Sequence, residues 1–244
     1  MEAVLFDWGE TLITIPGMVH SPERHLACLE QVYFEPAADG ARALSDYGVP
    51  WPRLREAYIE AARAHMAQSH RTRREHRFED RLRQALALAG VAEPPPETEL
   101  AGLVARLGTY IVAQAALVDG AADVVARLAP QLRLGVVSNY PYGPVVSATL
   151  ERFGLRDYFS AIVVSADFGW LKPHPGIYRA ALAQMGADAR AAVFVGDDLD
   201  NDVKGPKALG LRTAWFAAKP EPMPDADIII SDLRELLTWL VPPI

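Results

Sequence analysis

The stretch VGDDLDND puts four carboxylates, Asp197, Asp198, Asp200 and Asp202, within six residues. Side chains of one charge repel at that spacing unless a cation or solvent relieves them. Two uses fit: a solvated turn that caps a helix, or a site for a hard cation. A donor set made of a few oxygens and completed by water and a phosphate suits Mg²⁺ better than Zn²⁺, which takes cysteine and histidine. Of those, only His174 lies near. Another carboxylate, Asp7, closes the apolar run Ala3-Val4-Leu5-Phe6. It either caps the next turn or stands ready as a reactive group. Ser138 and Asn139 close a further apolar run, and Lys172 comes a few residues after a third.

Elements that would hold these groups are set by the hydrophobic pattern. Apolar runs at 3–6, 132–137, 161–164, 192–195, 212–216 and 227–230 read as buried strands. Helical patterns at 120–129, 144–153, 176–185, 202–209 and 232–240 alternate with them, which predicts parallel βαβ units with both sheet faces covered. In such a sheet the carboxyl ends of the strands share one edge, where ligands bind. Asp7, Ser138, Lys172 and Asp197 therefore converge. Residues 22–47, 52–68, 75–89 and 97–116 read instead as consecutive helices, with Ser21 as N-cap and Pro22 at the first helical position. The expected architecture is an α/β doubly wound parallel sheet formed by residues 1–15 and 118–244, with an α-helical cap domain inserted at 16–117. The hinges are expected near Pro16-Gly17 and Ala115 to Asp119.

Composition narrows the partners. A net charge of −7 over 244 residues argues against nucleic acid. The segment 16–117 accounts for only −1 of it, so the acid excess sits outside the helical insertion, as a cation site would require. No apolar run approaches the ~18 residues of a membrane span. The single Cys28 excludes an intrachain disulfide and fits a reducing compartment. Met1 leads directly into a strand, so a cytoplasmic protein is expected, as a monomer or homodimer. Arg63 to Arg83 holds seven arginines and three histidines. That run reads as a solvated face paired to Glu75, Glu79 and Asp80, or as a source of one or two arginines for an anionic ligand. His65, His70 and His76 lack zinc-site spacing. Tyr140, Tyr142 and Trp170 either line a pocket entrance or pack.

FDWGETL at 6–12, VVSN at 136–139, KPHPGIY at 172–178 and VGDDLDND at 195–202, in this order, resemble the motifs of the haloacid dehalogenase superfamily. The chain is similar throughout to the branch with a helical cap after the first strand. That resemblance implies a hydrolase, most nearly a phosphatase of small phosphorylated metabolites. Asp7 is then the nucleophile that forms an aspartyl-phosphate. Ser138 and Asn139 bind the phosphoryl oxygens, and Lys172 neutralises charge on nucleophile and phosphate. Asp7, the Gly9 carbonyl, Asp197 and Asp202 hold Mg²⁺, Asp202 directly or through water. The chain departs from the family at Gly9, where most of its phosphatases carry a second Asp as general acid/base. Two alternatives share that lack: a metal-independent 2-haloacid dehalogenase, and a phospho-ligand binder that has lost turnover. A phosphonate hydrolase would need a cap lysine, and 16–117 contains none.

Overall fold

A computed structural model describes residues 1–16, 21–36, 42–217 and 225–240. Two compact units emerge: Met1–Thr14 with Ala116–Ile244, and Ile15–Ala115.

The first unit is built on a sheet. Strand β1 (Ala3–Phe6) is wholly buried, and β2 (Ile13–Thr14) comes after a tight turn. The chain returns to this unit at β3 (Ala116–Leu117), which pairs antiparallel with β2. Neither two-residue strand is legible as a strand, because a pair so short has no hydrophobic period. The second unit is helical: α1 (Leu26–Phe34), α2 (Trp51–Thr72), α3 (Phe78–Ala89) and α4 (Glu97–Gln114). The expected helix over 22–47 is much shorter. Ser21 accepts a hydrogen bond from the Glu23 amide in a turn instead of capping a helix, and α1 starts only after His25, whose φ of 71° is left-handed. It ends before Pro36. A single 3₁₀ turn is formed at Leu44–Tyr47. Residues 37–41 of that expected helix, and Gly17 of the expected hinge, lie outside the described residues.

Back in the first unit come α5 (Ala121–Leu128), β4 (Arg133–Ser138), α6 (Gly143–Arg152), β5 (Phe159–Val164), the one-turn α7 (Ser165–Phe168) and α8 (Pro175–Met185). Strand β6 (Ala192–Gly196), α9 (Gly205–Lys207), β7 (Arg212–Phe216), β8 (Ile228–Ile230) and α10 (Glu235–Leu240) complete it. A π-helical stretch, Leu199–Lys204, replaces the first part of the expected helix 202–209.

Six strands form one parallel sheet in the order β5-β4-β1-β6-β7-β8. Counted by their appearance in the sheet this is 3-2-1-4-5-6, the doubly wound order whose direction reverses beside the first strand. Phe6 pairs with Val136 on one side and Val195 on the other. The register therefore sets Asp7 level with Val137 and Gly196, one residue short of Ser138 and Asp197. One sheet face packs Leu5, Val137, Ala161 and Phe194 against Ile177, Tyr178, Ala181 and Met185 of α8. Gly135 is required at that contact: a Cβ there would lie 2.6 Å from Met185 Sδ and 2.8 Å from a Leu5 methyl.

Candidate active site

The turn after β1 is held by backbone and by one buried aromatic. Asp7 N–H donates to Val195 O at 2.8 Å, and the Trp8 carbonyl accepts from the amides of Leu12 and Ile13. Trp8 is buried, its indole donating to Thr149 Oγ1 at 3.0 Å and its ring set edge-on to Tyr140 at 4.9 Å. With Trp8 turned into the interior, the preceding Asp7 side chain takes the opposite course, toward the sheet edge.

There Asp7 meets Lys172 and Asp202. Lys172 Nζ donates to Asp7 Oδ1 at 2.6 Å and to Asp202 Oδ1 at 2.7 Å, and all three residues are buried. Asp7, Asp197 and Asp202 each bring a carboxylate oxygen within 4.8 Å of the others. The remaining oxygen of Asp202 accepts from the Asp198 amide at 3.0 Å. Close approach of Asp202 depends on Gly196, since a Cβ on Gly196 would run into its carboxyl. The four acids of the cluster thus part company. Asp198 caps the π-helical stretch, accepting from Asp200 and Asn201 amides at 3.0 and 2.8 Å. Asp200 pairs with Lys204 at 2.8 Å on the surface. Only Asp197 and Asp202 join Asp7.

Lys172 is placed by a residue 33 positions away. Asn139 Oδ1 accepts from the Lys172 amide at 2.7 Å and Asn139 Nδ2 donates to the Lys172 carbonyl at 3.1 Å. The ring of Phe194 lies 5.2 Å from the ammonium. Tyr178 donates to the Asn201 carbonyl, tying α8 to the acidic loop, and Trp215 donates to the Asp197 carbonyl at 2.8 Å. Ser138 is buried at the end of β4, and the next turn is fixed by Ser165 Oγ, which accepts from the Tyr140 amide at 3.0 Å. Trp8, Gly196, Ser165 and the Asn139 clamp carry no sequence signature of their role; they are recognisable only once distant segments are neighbours. The one available hint was polarity directly after a strand, which marked Asn139.

Glu10 has a left-handed φ of 56°, and its carboxylate accepts the Thr14 hydroxyl at 3.1 and 3.3 Å. Gly9 lies between Trp8 and Glu10, bridges to Ile13, and is not one of the glycines with positive φ.

Three carboxylates against one lysine leave negative charge in excess. Burial first, then the charges of Asp7 and Asp197 working against Lys172, push Asp202 up to about 8. Asp197 is exposed at the sheet edge, but desolvation of its carboxyl and then the Asp7 charge push it up to about 7. Burial opposes the charge on Lys172, yet Asp202 and Asp7 outweigh it and its pKa is raised. The arrangement offers a carboxylate nucleophile beside a fixed cation, with two more carboxylates able to receive a second, divalent one.

A family model described as a haloacid dehalogenase-like hydrolase matches residues 1–210. The chain is 33% identical over 121 residues to pyrimidine 5′-nucleotidase YjjG of Escherichia coli (strain K12), covering 48% of this chain and 53% of that protein. It is 35% identical over 123 residues to a glyceraldehyde 3-phosphate phosphatase of Pyrococcus abyssi, covering 50% of each. The match therefore spans about half the length of these curated relatives. Among solved structures, a phosphatase from Thermococcus onnurineus superposes with a TM-score of 0.66 at 24% identity, covering 99% and 98% of the two chains. A 2-haloacid dehalogenase from Pseudomonas syringae pv. Tomato DC3000 gives 0.67 at 24% identity, covering 98% of each. Likeness at that identity establishes the shared fold and leaves the two chemistries equal.

The raised carboxyls have a consequence for stability. A carboxyl whose folded pKa exceeds its unfolded value stabilises fully below the unfolded value, and that contribution is lost as pH rises through the folded one. For Asp197 the window runs from about pH 4 to about pH 7. Asp197→Asn should therefore raise the melting temperature of chelator-treated protein at pH 8, with little difference at pH 4. Thermal melts of the two proteins across that range check this; an equal offset at both pH values would contradict it.

Proposed function

This chain belongs to the haloacid dehalogenase-like hydrolase family, and on that premise we propose that it is a phosphatase acting on a small phosphorylated metabolite through an aspartyl-phosphate on Asp7. The observation that carries this reading is the buried Lys172 ammonium shared by Asp7 and Asp202 at the end of β1. Phosphoryl transfer is mostly a matter of positioning and charge stabilisation, and this group supplies both. An Asp7 oxygen attacks phosphorus as the bond from phosphorus to the leaving oxygen breaks. Water then attacks the phosphorus of the acyl phosphate, which releases inorganic phosphate and restores the Asp7 carboxylate. Lys172 offsets charge on the nucleophile and on the phosphoryl oxygens. Ser138 Oγ and the Asn139 backbone bind those oxygens.

The donor set fits Mg²⁺: it is all oxygen, it carries the surplus negative charge described above, and two of its members are raised by desolvation first and by neighbouring carboxylate charge second. Asp7, the Gly9 carbonyl and Asp197 would hold the ion. Asp202 stands close by, because both of its oxygens already accept hydrogen bonds. Bound there, Mg²⁺ supplies charge neutralisation on the phosphoryl group. Residues 15–115 are proposed as the cap that selects the substrate, and the single Cys28 supports a cytoplasmic setting.

Chelator-treated protein should lose phosphatase activity and recover it with Mg²⁺. Full phosphatase activity in chelator would contradict the metal requirement, whereas halide release from a 2-haloacid in chelator would favour the metal-independent attack on carbon of a dehalogenase. Loss of phosphoester turnover under all conditions would favour a binding protein.

Leaving-group departure is the weak step. Gly9 offers no proton, and two carboxylates adjacent in sequence to the site are engaged elsewhere: Glu10 by Thr14, Asp198 by two amides. A missing general acid costs about 10²–10⁴ in rate. Turnover on alkyl phosphates should be slow and on aryl or acyl phosphates faster. Gly9→Asp should raise the alkyl rate, since its backbone is not in the left-handed region that disfavours Asp. Steady-state rates on a matched alkyl and aryl pair test this; equal rates in the parent with no gain in the variant would show another proton donor.

A further inference from the structure

Helices α2 and α3 enclose polar side chains for which the proposed hydrolysis has no use. Tyr58 and His65 are seven residues apart on α2, and Phe78 and Arg81 three apart on α3, so each pair shares a helix face. Arg81 is 5% exposed, with its guanidinium carbon 5.3 Å from the Phe78 ring centre and 6.0 Å from that of Tyr58. Its Nε has no hydrogen-bond partner. Among the described residues no carboxylate forms an ion pair with it. Of the acids beside it on α3, Asp80 pairs with Arg83 at 3.0 Å and accepts from the Arg77 amide at 3.3 Å, and one buried oxygen of Glu79 is itself without a partner.

The Tyr58 hydroxyl is also without a partner, on a residue 1% exposed, and so is His65 Nδ1, on a residue 8% exposed. The His65 ring stacks on His76 at 4.4 Å between centres. Burial first, then the neighbouring His76 and Arg81, hold His65 down to about 4 against the opposing effects of Asp80 and Gln84. Burial, Arg24 and Arg81 hold His25 down as well. A buried guanidinium thus lies against the rings of Phe78 and Tyr58, and the Tyr58 hydroxyl has no partner among the described residues. Buried charge and buried donors are normally matched by acceptors, yet among the described residues Arg81 Nε and the Tyr58 hydroxyl find none.

We propose that this cluster is an anion-binding subsite, in which the Arg81 guanidinium and the Tyr58 hydroxyl take a carboxylate or phosphate group of a small ligand. The rings of Phe78 and Tyr58 and the His65–His76 stack form its walls. Arginine suits the role because its planar fork matches both groups. The subsite lies wholly within residues 15–115 and does not depend on what the sheet unit hydrolyses.

The test uses the full chain and reads the imidazole NMR resonances of His65 and His76 during titration with succinate and with inorganic phosphate. Both resonances should move saturably. Arg81→Gln should weaken binding about tenfold or more, as for loss of a charged hydrogen bond, while Arg63→Gln, which removes an exposed α2 arginine, should leave it unchanged. Tyr58→Phe guards against a folding failure in Arg81→Gln. It removes an unpaired buried hydroxyl, so it should raise the melting temperature of the ligand-free protein and reduce the further rise that succinate produces. A second arm separates a free anion from an acidic group carried by the molecule hydrolysed: only in the latter case does succinate compete with turnover in a manner lost in Arg81→Gln. Histidine resonances that stay still, equal effects of Arg81→Gln and Arg63→Gln, or a Tyr58→Phe protein unchanged in both melts would overturn the subsite.

Discussion

The Lys172 ammonium lies 2.6 Å from Asp7 and 2.7 Å from Asp202, with all three groups buried. None of these charges is tolerable in that place without the others, because desolvation costs several kcal/mol per ion and a broken buried pair destabilises by about 3–5 kcal/mol. Much of the surrounding structure serves to keep the three together. Asn139 grips the Lys172 backbone on both sides. Gly196 leaves room for Asp202, and the π-helical stretch capped by Asp198 swings Asp202 back toward the sheet. Trp8, anchored on Thr149, holds the turn that carries Asp7. These parts come from β1, β4, β6 and the loop before α8, so the triad also ties together segments remote in sequence.

The same triad is the reason a divalent ion is proposed at this edge. Lysine neutralises one of three carboxylates, and desolvation first, with the charge left unrelieved second, raises Asp202 to about 8 and Asp197 to about 7. The proposed ion and the phosphoryl group complete a balance of charge that the protein alone leaves open. Gly9 stands outside that balance. It supplies no proton, and on the proposed reading that absence separates attack on phosphorus, which the site favours, from release of a basic alcohol, which it does not assist.

How far the sequence carried these features depended on the range of the signal. Asp7, Ser138 and Asp197 were legible because each ends an apolar run, and the doubly wound order then fixes them on one edge. Asp202 could be singled out within the acidic cluster only by the motif it resembles; the geometry that separates it from Asp198 and Asp200 is a π-helical turn, which leaves no hydrophobic period. The helix read over 22–47 failed at both ends, because Ser21-Pro22 carries a start signal spent on a turn and α1 stops at Phe34, just before Pro36. Asn139 against Lys172, at a separation of 33, and Trp8 against Thr149, at 141, are contacts that no local pattern encodes. Arg81 lay within a run read chiefly as a solvated face, and its burial is a tertiary result.

The central claim is that Asp7 carries the phosphoryl group during turnover. The most direct measurement is rapid acid quench of the Mg²⁺-loaded protein reacting with an aryl phosphate, with mass spectrometry of the peptide containing Asp7. A phosphoryl group on Asp7, formed within the turnover time, lost on a chase and absent from Asp7→Asn, is the predicted result. Steady turnover with Asp7 unmodified at every quench time, or turnover that survives Asp7→Asn, would contradict it.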